Sequence, residues 1–115
     1  MRAPERPAAV RLAREIIGSG PPLLFLHGLF GSRRNLRTLA QRLAASHRCC
    51  LVDLRNHGDS PHARPADYAA MAADVFALMD EERWPQAALV GHSMGGKVAM
   101  SMALWQPSRV HKLVV

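Results

Sequence analysis

The sequence predicts an α/β fold in which helices flank a mostly parallel β-sheet. Apolar runs of strand length alternate along the 115 residues with stretches of helical periodicity, as expected when helices connect parallel strands. The runs are continuously apolar, which is typical of parallel strands buried on both faces. Polar or glycine-rich segments follow them, and functional groups of such folds collect beyond the carboxyl ends of the strands.

The N-terminal part of the chain carries two strand candidates. Residues 1–9 are expected to be a loose lead-in, and residues 10–115 to belong to a single domain. Residues 10–17 mix strand-like alternation with helical spacing, and we interpret them as a strand. A turn rich in glycine and proline at 18–22 leads into a buried strand at 23–26.

Two helices are predicted from their caps and apolar faces. Ser32 is the candidate N-cap of a helix over 33–45, with an apolar face formed by Leu36, Leu39, Ala40 and Leu43. Asp67 is the candidate N-cap of a helix over 68–82, with an inward face formed by Met71, Val75, Leu78 and Met79.

Three further strands complete the alternation. A strand over 49–53 precedes a polar loop at 54–65. Another strand is predicted over 87–90. The last begins near His111, and its apolar end, residues 113–115, is typical of the start of a buried strand. In this stretch alone we expect residues 113–115 to form an apolar edge of an unfinished sheet.

The segment Gly91-His92-Ser93-Met94-Gly95-Gly96 fits the G-x-S-x-G pattern of a nucleophile elbow. A strand runs directly into it and a helix-compatible stretch, 97–106, runs directly out, which is the context that the motif requires. The serine then occupies a sharp, strained turn, where side chains in place of Gly91 and Gly95 would collide. Ser93 is therefore the candidate nucleophile, since a serine hydroxyl attacks a carbonyl when a base takes its proton.

The net charge of +6 does not lead us to expect a nucleic-acid partner. Of the 15 basic residues only Lys97 and Lys112 are lysine, and alanine is abundant, which indicates a compositional bias rather than a binding surface. Residues 33–48 are basic without an acidic residue. A solvated helix face is the favoured interpretation, with a site for anionic acyl substrates or a membrane surface as the alternative. No apolar run approaches the length of a membrane span, about 18 residues.

The two cysteines bear on the cellular compartment. Cys49 and Cys50 are adjacent in a predicted strand, so their side chains point to opposite faces and do not form an intrachain disulfide. The lack of a disulfide framework favours a reducing compartment. Early arginines suggest an organelle transit peptide, whereas Glu5 and Glu15 argue against one. We expect a cytoplasmic protein, with a mitochondrial location as the alternative.

Three motifs carry a family resemblance: His27-Gly28-Leu29-Phe30-Gly31-Ser32, Asp53-Leu54-Arg55-Asn56-His57-Gly58-Asp59-Ser60, and Gly91 to Lys97. Over about residues 12–115 the chain resembles the α/β-hydrolase superfamily. The middle motif is most similar to a narrower group that holds the YbfF-type esterases and the α/β-hydrolase domain-containing protein eleven. The resemblance implies that residues 10–115 are the N-terminal part of a single α/β-hydrolase domain, and that the activity is that of a serine esterase or thioesterase.

The resemblance also implies roles around the serine. In this fold one oxyanion-hole N–H comes from the residue after the nucleophile and the other from the loop after an earlier strand, which are here Met94 and Leu29. Gly28 is expected to let the backbone approach the ligand. Phe30 either lines the acyl site or belongs to the core, and the sequence leaves both open.

The histidines at 27, 57, 62 and 92 are not expected to act as the catalytic base. His27 is predicted to hold its own loop, and His57 and His62 to stabilise the loop at 54–65 rather than to act in catalysis. Adjacent elbow residues point apart, so His92 is not expected to serve Ser93.

Asp53 ends a strand near the site but precedes the nucleophile in the chain. We interpret it as a carboxylate that fixes a turn by binding backbone N–H groups and Arg55. Asp59 and Ser60 are expected to belong to the same network.

The remaining triad residues are not found after Ser93. In this architecture the order is serine, acid, histidine, but residues 94–115 contain no Asp or Glu and one histidine, His111. We expect the chain to be the front part of a hydrolase whose acid and base lie beyond Val115, and expect negligible turnover from this stretch alone. The alternative is an inactive, truncated α/β-hydrolase that acts as a binding module.

No cofactor is expected. The histidines and acids lack metal-ligand spacing, and there is no dinucleotide-binding or P-loop motif. The expected ligand is a small-molecule acyl ester or thioester. The oligomeric state is left undetermined by the sequence.

Overall fold

Within residues 8–115, which the computed structural model describes, five strands form one sheet in the order β1-β3-β2-β4-β5. The strands are β1 (Arg14–Ile17), β2 (Pro22–Leu26), β3 (Arg48–Val52), β4 (Ala87–Gly91) and β5 (Val110–Val114). The helices are α1 (Arg37–Leu43), α2 (Tyr68–Glu81) and α3 (Met94–Trp105), with 3-10 turns at Arg33–Leu36 and Pro107–Arg109. Residues 1–7 of the expected lead-in lie outside the described part.

The sheet is mostly parallel, which confirms the predicted α/β class. Strands β2 to β5 pair in parallel, and β1 runs antiparallel to β3. Side chains from α1 pack on one face of the sheet, and those from α2 and α3 pack on the other. Cys49 and Cys50 fall into the cores on these opposite faces, and both thiols are free, as the alternation predicts.

The first strand is shorter than predicted, and two N–H groups of the segment before it donate to side chains. It begins at Arg14 rather than at residue 10. The Val10 N–H donates to Oδ1 of Asp74 and the Ala13 N–H donates to Oγ of Ser60, each over 2.8 Å. These two hydrogen bonds tie the segment before β1 to α2 and to the loop after β3.

The first predicted helix divides into a 3-10 turn followed by α1. Ser32 caps the turn as expected, and the side chain of Asn35 accepts a hydrogen bond from the Ser32 N–H over 2.7 Å. The prediction for Leu39 is wrong, since it is 42% exposed. The helix type changes at the end of the turn and α1 is short. The residues that face the sheet are Leu36 of the turn and Ala40 and Leu43 of α1.

The two longer helices follow the predicted spacing. Asp67 caps α2 by accepting a hydrogen bond from the Ala70 N–H over 2.8 Å, and the four residues predicted to face inward are buried. Helix α3 begins at Met94 rather than at Lys97, because the elbow passes directly into helical backbone. None of the helices between residues 8 and 115 combines the length and apolarity that a bilayer crossing requires.

Strand β5 lies at the edge of the sheet, and its apolar end is exposed, as expected for an unfinished sheet. Leu113, Val114 and Val115 are 38%, 60% and 65% exposed. Among the described residues β5 pairs only with β4, so its outer edge is open.

Candidate functional site

Ser93 occupies the sharp turn between β4, which ends at Gly91, and α3, which begins at Met94. Its φ of 55° and ψ of −113° are rare for a residue with a side chain. Such a backbone costs about 1–3 kcal/mol. The turn leaves Ser93 exposed, and its hydroxyl makes no capping hydrogen bond to α3. The hydroxyl is therefore available to a ligand in the cleft that Ser93 lines.

Two glycines give the turn its space. A Cβ on Gly91 would lie 2.6 Å from the Cα of Gly96, and a Cβ on Gly95 would overlap the carbonyl of Leu26. Both obstacles are backbone, so neither can move without shifting the elbow or β2. A Cβ on Gly96 would instead meet a side-chain methyl of Val115 at 2.6 Å, which has more freedom to give way.

The loop after β2 approaches the elbow closely. A Cβ on Gly28 would lie 3.4 Å from the Cβ of Ser93. The backbone at Gly28 therefore lies close to the elbow, whereas the sequence predicted a close approach to the ligand. The N–H groups of Leu29 and Met94 have no backbone acceptor among residues 8–115, and Met94 stands at the first position of α3, where helical N–H groups lack intrahelical partners. Unpaired N–H groups near a nucleophile can stabilise a developing oxyanion.

Phe30 does not belong to the core. Its side chain is 92% exposed and lines the same cleft as Ser93, so the core interpretation left open by the sequence is excluded. Its backbone adopts a left-handed φ of 63°, and its N–H donates to Nε2 of His57 over 3.2 Å.

A cleft of about 860 Å³ opens above Ser93. Its wall includes Leu29, Phe30, His57, Tyr68, Met71 and Lys97. The Lys97 Nζ lies 5.9 Å from the centroid of the Tyr68 ring. A second cleft of about 430 Å³ shares residues 29–31 and includes His92 in place of Ser93. The neighbouring residues 92 and 93 therefore line different clefts.

His27 and His57 hold loops, as predicted. His27 Nε2 accepts a hydrogen bond from the Leu54 N–H over 3.0 Å, so its proton resides on Nδ1, which donates to the Gly28 carbonyl over 2.7 Å. Burial lowers the pKa of His27, which favours this neutral form. His57 Nδ1 lies 2.9 Å from the carbonyl of Arg55.

The prediction that His62 stabilises the loop at 54–65 is wrong. Its side chain is exposed and has no hydrogen bond to the described residues. None of the described histidines is hydrogen-bonded to a carboxylate. Within residues 8–115, no three His, Cys, Asp or Glu side chains are grouped so that they could hold a metal ion.

Asp53 fixes its turn through backbone N–H groups, but its charged partner is Arg33 and not Arg55 as predicted. It accepts hydrogen bonds from the N–H of Arg33 (2.6 Å) and of Asp59 (3.0 Å), and it pairs with the Arg33 guanidinium. Burial alone would raise the pKa of Asp53, but these two N–H groups and the guanidinium hold that pKa below its usual value. Ser60 joins the network by donating to the Asp53 carbonyl over 2.6 Å.

Arg55 instead reaches the interior, where it binds Asp74 of α2. Arg55 Nε lies 2.6 Å from Oδ2 of Asp74 and Nη2 lies 2.8 Å from Oδ1. The guanidinium also donates to the carbonyls of Pro65 and Ala8. Sequence reasoning missed this pair, although an acid on the apolar side of α2 signals a buried partner.

The sheet order and the elbow define the class: an α/β protein with a serine on a strained turn between β4 and α3. The model of the family described as "alpha/beta hydrolase fold" matches residues 21–115. The chain belongs to this α/β-hydrolase family.

Similar proteins include esterases and lipases. The sn-1-specific diacylglycerol lipase ABHD11 of Mus musculus is 48% identical over 97 residues, which cover 83% of this chain and 32% of the lipase. Esterase YbfF of Escherichia coli (strain K12) is 43% identical over 93 residues, 81% of this chain and 37% of the esterase. The solved structure of a marine microorganism esterase superposes with a TM-score of 0.89 at 40% identity, over 91% of this chain and 41% of that one. The chain thus spans about a third of the length of these curated relatives.

Proposed function

We propose that this protein is a serine hydrolase that cleaves carboxylic esters or thioesters by acyl transfer through Ser93. The strained backbone of Ser93 at the edge of a cleft is the observation that carries the proposal. Proteins keep such strain mainly where function requires it. Relatives that are named esterases and a lipase support an acyl ester as the substrate class.

In the proposed mechanism Ser93 Oγ attacks the carbonyl carbon while a base takes its proton. The resulting oxyanion is stabilised by the N–H groups of Leu29 and Met94. Loss of one such donor typically costs about 3 kcal/mol of transition-state stabilisation. The alcohol or thiol leaves with the proton, and water then attacks the acyl-enzyme by the same route in reverse.

The mechanism also requires an acid and a base, which we place outside the described residues. No described histidine is paired with a carboxylate, and the chain spans about a third of the curated relatives. We propose that polypeptide following Val115 supplies both groups, so that residues 1–115 alone have negligible turnover.

The second candidate function is a binding module without catalysis. The same missing histidine–carboxylate pair favours it. A binding module would use the cleft to hold an acyl compound, and Ser93 would then be dispensable for binding.

Hydrolysis of a fluorogenic short-chain ester separates the two candidates. The complete gene product is measured beside Ser93→Ala and beside residues 1–115 alone. We expect turnover only from the complete product with Ser93 intact. Equal rates for Ser93→Ala and the unaltered protein would exclude Ser93 as the nucleophile. Ligand binding without turnover by any form would favour the binding module.

A further inference from the structure

The peptide plane before Leu29 is fixed by hydrogen bonds to the Gly28 carbonyl. That oxygen accepts from the Gly31 N–H over 3.0 Å and from His27 Nδ1 over 2.7 Å. In a trans peptide the N–H points opposite to the carbonyl of the same plane. Holding the Gly28 carbonyl therefore sets the direction of the Leu29 N–H.

The peptide plane after Leu29 is fixed by His57. This plane carries the Phe30 N–H, which donates to His57 Nε2 over 3.2 Å. Phe30 has a left-handed φ of 63°, which costs a side-chain-bearing residue roughly 1–2 kcal/mol. The hydrogen bond to His57 offsets part of that cost and keeps the loop in this conformation.

His57 is itself held in one tautomer. A neutral imidazole has one donor and one acceptor nitrogen, so the Phe30 N–H at Nε2 leaves the proton on Nδ1, which donates to the Arg55 carbonyl over 2.9 Å. Arg55 is anchored through its buried pair with Asp74. The His57 ring also lies against His27, with 5.0 Å between the ring centroids.

We infer that His57 is a positioning residue that, together with His27, locks both peptide planes around Leu29 so that the Leu29 N–H is aimed at the substrate oxyanion. The inference rests on the proposed function. His57 acts through Phe30 and Leu29 and not on the reacting atoms. Its Nδ1 and Nε2 are both engaged, which leaves it no free nitrogen to serve Ser93 as a base.

The kinetic test compares His57→Leu, which lacks an acceptor, with His57→Gln, whose side-chain oxygen can replace Nε2, in the complete gene product. For His57→Leu we expect kcat for a fluorogenic ester to fall roughly tenfold with little change in KM, less than the ~100-fold or greater loss when a donor is removed outright. His57→Gln should recover most of kcat. The control, His62→Leu, alters an exposed histidine in the same loop and should change neither constant. A loss confined to KM, or no rescue by glutamine, would overturn the inference.

The second readout does not depend on catalysis. In a Ser93→Ala background, His57→Leu should shift the Phe30 amide resonance upfield and speed its hydrogen exchange, while His57→Gln should preserve both. A Phe30 amide that is unaffected by His57→Leu would refute the inference. If the amide responds as expected but the protein with Ser93 hydrolyses no ester, the proposed function fails while the loop contact stands.

Discussion

The guanidinium of Arg55 and the carboxylate of Asp74 form an ion pair in which neither side chain is exposed to solvent. The pair joins α2 to the loop that carries His57, and the same guanidinium binds the backbone before β1. Removing two charges from water costs several kcal/mol per ion unless they are paired and hydrogen-bonded. The pair therefore fixes the geometry of the cleft wall. Loss of either partner would leave the other charge buried and unpaired.

Substitution of one partner of this pair should be strongly destabilising. For Asp74→Asn we expect the free energy of unfolding, measured by urea denaturation of the complete gene product, to fall by about 3–5 kcal/mol because a buried charge loses its partner. Arg11→Ala, which removes a surface ion pair with Glu81, should cost less than about 1 kcal/mol. The double variant Arg55→Met/Asp74→Leu should be more stable than Asp74→Asn. Similar losses for the buried and the surface variant would contradict this account.

The elbow should tolerate a methyl group at only one of its glycines. Gly95→Ala pushes a Cβ into the Leu26 carbonyl, and we expect a loss of about 3 kcal/mol or more in unfolding free energy. Gly96→Ala meets a side-chain methyl of Val115 and should cost distinctly less. The stabilities of the two variants are compared by thermal unfolding. If Gly95→Ala is as stable as Gly96→Ala, the close approach of Gly95 to the Leu26 carbonyl is wrong.

The Asp53 network should make stability depend on pH. The pKa of Asp53 is lower in the folded protein than in the unfolded chain. The stabilisation by its carboxylate is therefore fully present above the ordinary aspartate pKa of about 3.9. It is lost as the pH falls through the folded value. The difference in unfolding free energy between the unaltered protein and Asp53→Asn should thus be constant from about pH 7 to 5 and shrink below about pH 4. Asp59→Asn removes the exposed carboxylate that pairs with the same Arg33 guanidinium and should give a much smaller difference, because solvent screens that pair. A difference that does not vary with pH would count against the network.

The cysteines should be inert in the folded protein. Burial raises the pKa of the Cys50 thiol to about 12 and also raises that of Cys49. Because the thiolate is the reactive form, a disulfide reagent at pH 8 should label neither residue until denaturant is added. Rapid labelling of the native protein would contradict the buried placement of β3.

The fold class and the elbow were predictable because both depend on local pattern. Continuous apolar runs mark strands buried on both faces, and the spacing of Gly91 and Gly95 around Ser93 reflects one tight turn. Partners distant in sequence were not predictable. The choice of Arg33 for Asp53, and of Asp74 for Arg55, depends on which side chains the tertiary structure brings together. The exposure of Leu39 depends in the same way on a change of helix type that apolar spacing does not reveal.

Covalent labelling of the complete gene product by a fluorophosphonate tests the central claim most directly. Peptide mass spectrometry should locate one adduct on Ser93, in step with the loss of ester hydrolysis, and Ser93→Ala should remain unlabelled. An adduct on another residue that abolishes hydrolysis, or an active protein that stays unlabelled at Ser93, would contradict the assignment of Ser93 as the nucleophile.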